Sequence, residues 1–197
     1  MIEQLTFETT TAFMGSTPAL GATAILQHWI NTRSNAALLT WAQANIKKGQ
    51  TITNAVEQIL SICHRDNNGY PVLGNWMFKR CLFNTAAMVF NAAKNKSHPK
   101  RDVVNNAIMF IEPGYMNFVR KGKVLKEPDS VETYTVSTKM KSFFKAYEAI
   151  QAGVQFKCTI EYDEDMLSPA HFKYLISKAG LVGIGAYRER YGKFKVV

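Results

Sequence analysis

The segment from residue 154 to residue 196 constrains the fold most strongly. Residues 154–160 alternate apolar and polar side chains, which predicts a β-strand. Ser168 and Pro169 then supply a helix cap and a proline at the first helical position. Apolar residues follow at the helical spacing i, i+3, i+4, i+7, namely Phe172, Leu175, Ile176 and Ala179. We expect Gly180 to close this helix and Phe194–Val196 to form a final strand.

The rest of the chain adds one strand and one hairpin to this pattern. Residues 3–13 alternate with period two and predict a first strand. Three segments have helical patterns: residues 22–46, a stretch that begins at a cap residue, Asn54, and residues 75–94. Residues 107–111 and 115–119 predict the two strands of a hairpin. The order approaches β-α-β-β-α-β, so we predict an α+β fold with a ferredoxin-like or RNA-recognition-motif-like antiparallel sheet.

The length of 197 residues fits a single domain, spanning residues 1–197, with two insertions. The first is a helical insertion over about 22–94. The second, over about 120–145, is rich in lysine and poor in large apolar residues, which predicts an exposed basic finger. Its candidate phosphate-binding residues are Lys121, Lys123, Lys139 and Lys141. An ordinary solvated loop has the same composition, and a solvated loop is our interpretation of residues 94–101.

The charge balance favours a polyanionic partner. Lysine and arginine number 24 against 15 aspartate and glutamate, a net charge of +9. Such an excess is typical of proteins that bind nucleic acid. A basic protein without such a partner is the alternative that charge alone leaves open.

Cysteine and histidine usage argues against a metal site and against disulfides. Three scattered cysteines and four dispersed histidines show no ligand spacing, so we expect no metal and no cofactor. No run of about 18 apolar residues suggests a membrane span, and the first residues do not resemble a signal peptide. We therefore expect a cytoplasmic protein with no membrane partner.

The glycine-rich tail is the strongest candidate for a binding site. Glycines allow a backbone to approach a ligand closely, cations neutralise phosphates, and aromatic rings stack on bases. The candidates in the tail are Gly183, Gly185, Tyr187, Arg188, Arg190, Gly192 and Lys193. If the segment is extended, Arg188 and Arg190 share one face. A salt-bridge cluster with Glu161, Asp163, Glu164 or Asp165 is the alternative.

The segment 183–196 resembles the C-terminal glycine-rich signature of the RAMP superfamily, the RNA-recognition-motif-like subunits of CRISPR RNA-guided complexes. A second stretch, 70–80, is similar to the family's segment in which a glycine opens a helix that carries a lysine, here Lys79 followed by Arg80. The whole layout is similar to compact RAMP-like proteins of bacteriophages. The resemblance implies a sheet that holds single-stranded RNA, an inserted finger, and copies that stack along the strand.

Three functions remain open at this point. The first is non-catalytic binding of single-stranded RNA or DNA, with RNA preferred, by a protein that assembles with itself or with CRISPR-type subunits. The second is a phage-encoded interaction protein that mimics or caps such a subunit. The third is an endoribonuclease that uses His28, although a lone histidine on a half-apolar helix is usually structural. We predict no catalytic residue.

Overall fold

The chain folds into two compact units, each with helices and strands. The structure, a computed structural model, describes residues 1–32, 36–90, 100–137, 142–186, 188 and 190–197. The first unit comprises residues 1–13, 65–127 and 151–197, and the second comprises residues 14–64 and 128–150. The predicted α+β class is confirmed.

Six helices and fourteen strands lie within the described residues. The helices are α1 Thr23–Asn31, α2 Ala36–Asn45, α3 Ile52–Glu57, α4 Asn75–Val89, α5 Arg101–Ala107 and α6 Pro169–Val182. The first seven strands are β1 Ile2–Thr9, β2 Phe13–Met14, β3 Thr17–Pro18, β4 Leu60–Ile62, β5 His64–Arg65, β6 Pro71–Gly74 and β7 Ile108–Glu112. The others are β8 Tyr115–Asn117, β9 Val119–Arg120, β10 Lys123–Val124, β11 Ser130–Ser137, β12 Ser142–Ile150, β13 Gln155–Tyr162 and β14 Phe194–Val196.

The main sheet of the first unit has the order β10-β9-β13-β1-β14, with β7 also paired to β13. Every pairing in it is antiparallel. A smaller sheet contains β6 and β8, with β5 beside β6. The predicted first, penultimate and final strands correspond to β1, β13 and β14. The predicted hairpin of residues 107–111 and 115–119 was wrong: both strands form, but β7 pairs with β13 and β8 pairs with β6 in the smaller sheet.

An aromatic cluster joins the helices to one face of this sheet. Phe7 lies opposite Phe156 in the β1–β13 register, and their rings stack with centroids 5.1 Å apart. Phe78 of α4 contacts Phe7 at 5.0 Å, and Phe194 of β14 contacts both. All four rings are buried. Since α4 also packs against α6, the two helices cover the same face.

Helix α6 begins as the sequence predicts but ends later. The Ser168 hydroxyl accepts a hydrogen bond from the backbone N–H of His171, and Pro169 is the first helical residue. The prediction that Gly180 closes the helix was wrong, because α6 continues to Val182 and Gly183 follows it at φ 83°. Gly180 instead faces the carbonyl of Phe194 so closely that a Cβ would overlap it.

The second unit packs three helices on a sheet of order β11-β12-β4-β3. β2, whose second residue Met14 belongs to this unit, pairs with β12. Glu148 is fully buried in the unit. Its carboxyl oxygens accept hydrogen bonds from the indole N–H of Trp29 at 2.6 Å and from the Cys63 backbone N–H at 2.8 Å. These bonds stabilise a polar group that burial alone would penalise.

The predicted helix at residue 54 starts earlier and is shorter. Thr51, not Asn54, is its N-cap, and Asn54 accepts a hydrogen bond from the Thr51 backbone N–H. The helix ends at Glu57, and Leu60–Ile62 forms β4 rather than a further helical turn. Pairing with β12, in which Leu60 lies opposite Ala146, outweighs the helical spacing of the apolar residues.

The segment predicted as a basic finger contains four strands. Residues 119–124 form the short β9–β10 hairpin, and β11 pairs along its length with β12. Val131 is buried, so part of this segment contributes to a core. The second unit consists of segments 14–64 and 128–150, which overlap the two predicted insertions.

Candidate nucleic-acid interface

The outer face of α4 combines exposed aromatic and basic side chains. The inner side of the helix buries Phe78, Leu82 and Thr85, and the side turned away from the sheet carries residues three or four positions apart. On this outer face Trp76 is 45% exposed, Arg80 is exposed and Met88 is 63% exposed. The helix has 15 residues and is therefore about 22 Å long.

An open groove of about 400 Å³ lies between α4 and α5. On the α4 side it is lined by Trp76, Lys79, Arg80, Phe83 and Asn84, and on the α5 side by Arg101 and Asn105. The guanidinium of Arg101 lies over the Phe83 ring, 3.5 Å from its centroid. The Nε of Arg101 is buried and has no hydrogen-bond partner within the described part of the chain.

A second open groove, of about 470 Å³, lies between the end of α4 and the end of α6. Its walls include Met88, Leu181, Arg188 and Lys193. The Lys193 ammonium donates hydrogen bonds to the carbonyls of Leu181 and Val182, so it caps the C-terminus of α6. Asn84 lines both grooves, which are therefore adjacent along α4.

The charged residues that line the two grooves in the described part of the chain are all positive. Five cations line them, namely Lys79, Arg80, Arg101, Arg188 and Lys193, and none of the described lining residues is an aspartate or a glutamate. Like charges converging without local compensation attract a polyanion. The structure thus brings together Lys79 and Arg80 from one predicted segment with Arg188 and Lys193 from the other.

The tail glycines have a packing role. Gly183, Gly185 and Gly192 have φ of 83°, 89° and 69°, a region that L-residues rarely adopt. The Ile184 N–H donates to the Gly192 carbonyl at 2.9 Å, and the Gly192 N–H donates to the Ala12 carbonyl at 2.7 Å. A Cβ on Gly183 would lie 2.7 Å from the Tyr191 carbonyl oxygen. The glycine pattern therefore lets two stretches of the tail pack backbone against backbone.

The tail arginines lie in turns rather than in an extended strand, so the expected shared strand face is not formed. Arg190 is exposed and Arg188 is half-buried. No ion pair joins either arginine to another described residue, whereas Glu164 pairs with the N-terminal ammonium at 3.4 Å. Tyr187 lies outside the described residues.

The Lys79 ammonium donates to the Ile108 carbonyl at 3.0 Å, beyond the end of α5. Of the other predicted lysines, two belong to the described residues. Lys121 and Lys123 are exposed in the β9–β10 hairpin, at the edge of the main sheet opposite β14. The structure does not bring them to the α4 face. Lys139 and Lys141 lie outside the described residues.

Sequence reasoning missed Arg101 and Trp76 as interface residues. Arg101 was predicted to end the solvated loop of residues 94–101, of which residues 94–99 lie outside the described part, and Trp76 was not among the predicted binding residues. The available signal was the spacing of Trp76, Arg80, Phe83 and Ala87, which places an aromatic and a cation on one helical face.

The face of the main sheet opposite the helices carries mixed charge. Alternation from Phe7 and Phe156 places three glutamates and two lysines on that face, namely Glu8, Glu112, Glu161, Lys157 and Lys195. Lys195 forms an ion pair with Glu8 at 3.1 Å, and its hydrogen bond lowers the pKa of that carboxyl. This face has no excess of positive charge.

His28 and the three cysteines line neither of the two grooves. His28 is exposed on α1, with its ring edge-on to Trp29 at 5.0 Å. Burial raises the pKa of Cys81 and of Cys158 to about 12. Within the described residues, no cluster of three or more His, Cys, Asp or Glu residues suits a metal. In the same residues, no helix combines the length and the apolar character that crossing a membrane requires.

No protein-family model matches the chain, and no curated protein matches its sequence significantly. The resemblance to RAMP proteins therefore rests on the motif residues alone and stays a prediction.

Proposed function

We propose that this protein binds single-stranded nucleic acid, with RNA preferred, along the outer face of α4 and without cleaving it. The observation that carries the proposal is the row of five cations along the two grooves beside α4, with no carboxylate among the described residues that line them. Three of these cations share the first groove with the exposed Trp76. Cations neutralise the phosphates, and an exposed indole stacks on an unpaired base.

The α4 face suits this role better than the sheet. A nucleic-acid strand bound on the opposite face of the sheet would contact three glutamates and only two lysines. Along α4 the cations extend from Lys79 near the first turn to Arg188 beside the last turn. The proposal therefore keeps the predicted ligand and moves it to the helical side of the first unit.

The connectivity of the first unit supports a ferredoxin-like arrangement. The spatial order β14-β1-β13-β7, with α4 after the first strand and α6 before the last, is the order expected of a β-α-β-β-α-β unit. Such an arrangement is consistent with the RAMP resemblance, from which the preference for RNA, the assembly with copies or CRISPR-type subunits and a cytoplasmic location follow as parts of the proposal.

The test is fluorescence polarisation of a labelled single strand at several salt concentrations. We expect the logarithm of the affinity to fall linearly with the logarithm of salt, and Arg80→Gln and Arg188→Gln each to reduce the slope by about 0.7. Lys157→Gln is the matched control, because Lys157 is exposed on the other face of the same sheet. Affinity that ignores salt, or equal effects of Arg80→Gln and Lys157→Gln, would contradict the proposal.

A protein interface is the second candidate, favoured by exposed apolar residues beside α4. Met109, Phe110 and Tyr115 are 47%, 60% and 51% exposed, and Met109 and Phe110 line an open groove with Trp76. Exposed apolar clusters mark protein interfaces. A partner that stays bound after nuclease treatment and is lost in Phe110→Glu would favour this function.

A further inference from the structure

The groove between α4 and α5 holds amide groups as well as charge. Asn84 and Asn105 line it from the two helices, and their side-chain amides form no hydrogen bond with other described groups. Each amide offers a donor and an acceptor side by side. The groove volume of about 400 Å³ is in the range of sites for single small ligands.

Arg101 is positioned by the Phe83 ring at the side of this groove. Its guanidinium carbon lies 3.5 Å from the ring centroid, and its Nε is buried. Stacking occupies a face of the guanidinium and leaves its in-plane N–H groups for an anion. Arg80, which is exposed on the same groove, adds a second cation for the same phosphate.

Trp76 is held by its neighbours while its ring remains accessible. The ring packs directly on Gly74, where a Cβ would overlap it, and lies edge-on to Tyr115 with centroids 5.5 Å apart. At 45% exposure, a large part of the indole is accessible to a ligand. A ring held in place before binding loses little conformational entropy when a base stacks on it.

We propose that this groove is a base-selective subsite that takes one adenine of the bound strand. Trp76 stacks on the base, Asn84 and Asn105 hydrogen-bond to its edge, and Arg80 and Arg101 hold the adjoining phosphate. An asparagine amide matches the adjacent acceptor and amino group of adenine, whereas guanine presents two acceptors that suit arginine. The inference rests on the proposed function and adds base selectivity to it.

The test compares strands of about eight nucleotides, all uridine or with about three central uridines replaced by adenosine, guanosine or cytidine. Polarisation at fixed low salt gives the affinities. We expect the adenosine strand to bind at least about fivefold more tightly than the others. Asn84→Ala and Asn105→Ala reduce this ratio, while Asn106→Ala, a neighbouring exposed asparagine of α5 outside the groove, keeps it.

Indole fluorescence provides a second measurement. Of the three tryptophans, Trp29 is buried, Trp41 is half-buried and stacked on Phe144, and Trp76 is 45% exposed. We therefore expect the adenosine strand to quench the fluorescence of the wild type and to quench that of Trp76→Phe much less. Equal salt-dependent affinity for all four strands, a preference for guanosine, or loss of selectivity in Asn106→Ala would overturn the subsite and leave the proposed function standing. Failure of every strand to bind overturns both.

Discussion

The guanidinium carbon of Arg101, the first residue of α5, lies 3.5 Å from the centre of the Phe83 ring on α4. A cation in the first turn of a helix opposes the helix dipole. The attraction between the guanidinium and the Phe83 ring therefore offsets the unfavourable interaction of this cation with the helix dipole. The same contact joins α5 to α4 at the candidate interface.

We expect Phe83 and Arg101 to be energetically coupled. In a double-mutant cycle of Phe83→Leu and Arg101→Gln, the coupling in the free energy of unfolding should be about 0.5–1 kcal/mol. Urea unfolding of the four proteins measures it. Strictly additive effects would show that the contact does not stabilise the pair of helices.

Gly180→Ala should destabilise the protein although alanine is the better helix former. Helix propensity alone predicts a gain of about 1 kcal/mol. A Cβ at this position would overlap the Phe194 carbonyl, and forcing atoms into a packed site costs about 1–3 kcal/mol. Together the two effects give a net loss of up to about 2 kcal/mol, measured by thermal or urea unfolding. Gly114→Ala is the control, since nothing lies near its Cβ position, and it should change little.

The second unit should lose stability on mild acidification because of His64. Burial lowers the pKa of this imidazole, whose Nε2 lies 2.9 Å from the Thr17 hydroxyl. The neutral His64 imidazole contributes fully to the free energy of unfolding above the usual histidine pKa of about 6.5. This contribution is lost as the pH falls towards the lower pKa of the folded state, because the unfolded chain then binds the proton more readily. His64→Gln should flatten this part of the unfolding free energy against pH. A parallel decline in both proteins would disprove the assignment.

The native thiols should react slowly with a disulfide reagent such as DTNB. Cys63, Cys81 and Cys158 are all buried, and burial raises the pKa of Cys81 and Cys158 to about 12. Thiolates are the reactive species and are scarce at neutral pH under these conditions. We expect the three thiols to be titrated rapidly only after unfolding in guanidinium chloride. Rapid release of chromophore from the folded protein would contradict the burial of these side chains.

Local chemistry made some elements predictable. Phe194–Val196 and the start of α6 agree with the sequence because an apolar strand, a serine cap and a proline act within a few residues. The end of α6 was not predictable, since Gly180 is there for the close approach of Phe194, a contact between distant parts of the chain. Leu60 joined β4 for the same kind of reason, namely pairing with β12.

The candidate interface was predictable only in part. Lys79, Arg80, Arg188 and Lys193 stand out by charge, but their convergence depends on α4 packing against α6. Arg101 gave no separate signal, because its contact with Phe83 exists only after α4 and α5 pack together. The glycines of the tail suggested a ligand loop, whereas their positive φ and close backbone contacts serve chain packing.

Strand β1 lies between β13 and β14, so the two neighbours of Phe7 in the sheet, Phe156 and Val196, are separated from it by most of the chain. Contacts this distant in sequence slow folding. A nascent chain leaving the ribosome would carry β1 with both hydrogen-bonding edges unpaired until β13 and β14 had been synthesised. A molecular chaperone that covers the unpaired edges of β1 would therefore act mainly early in translation, before the other strands of the central sheet are available for pairing.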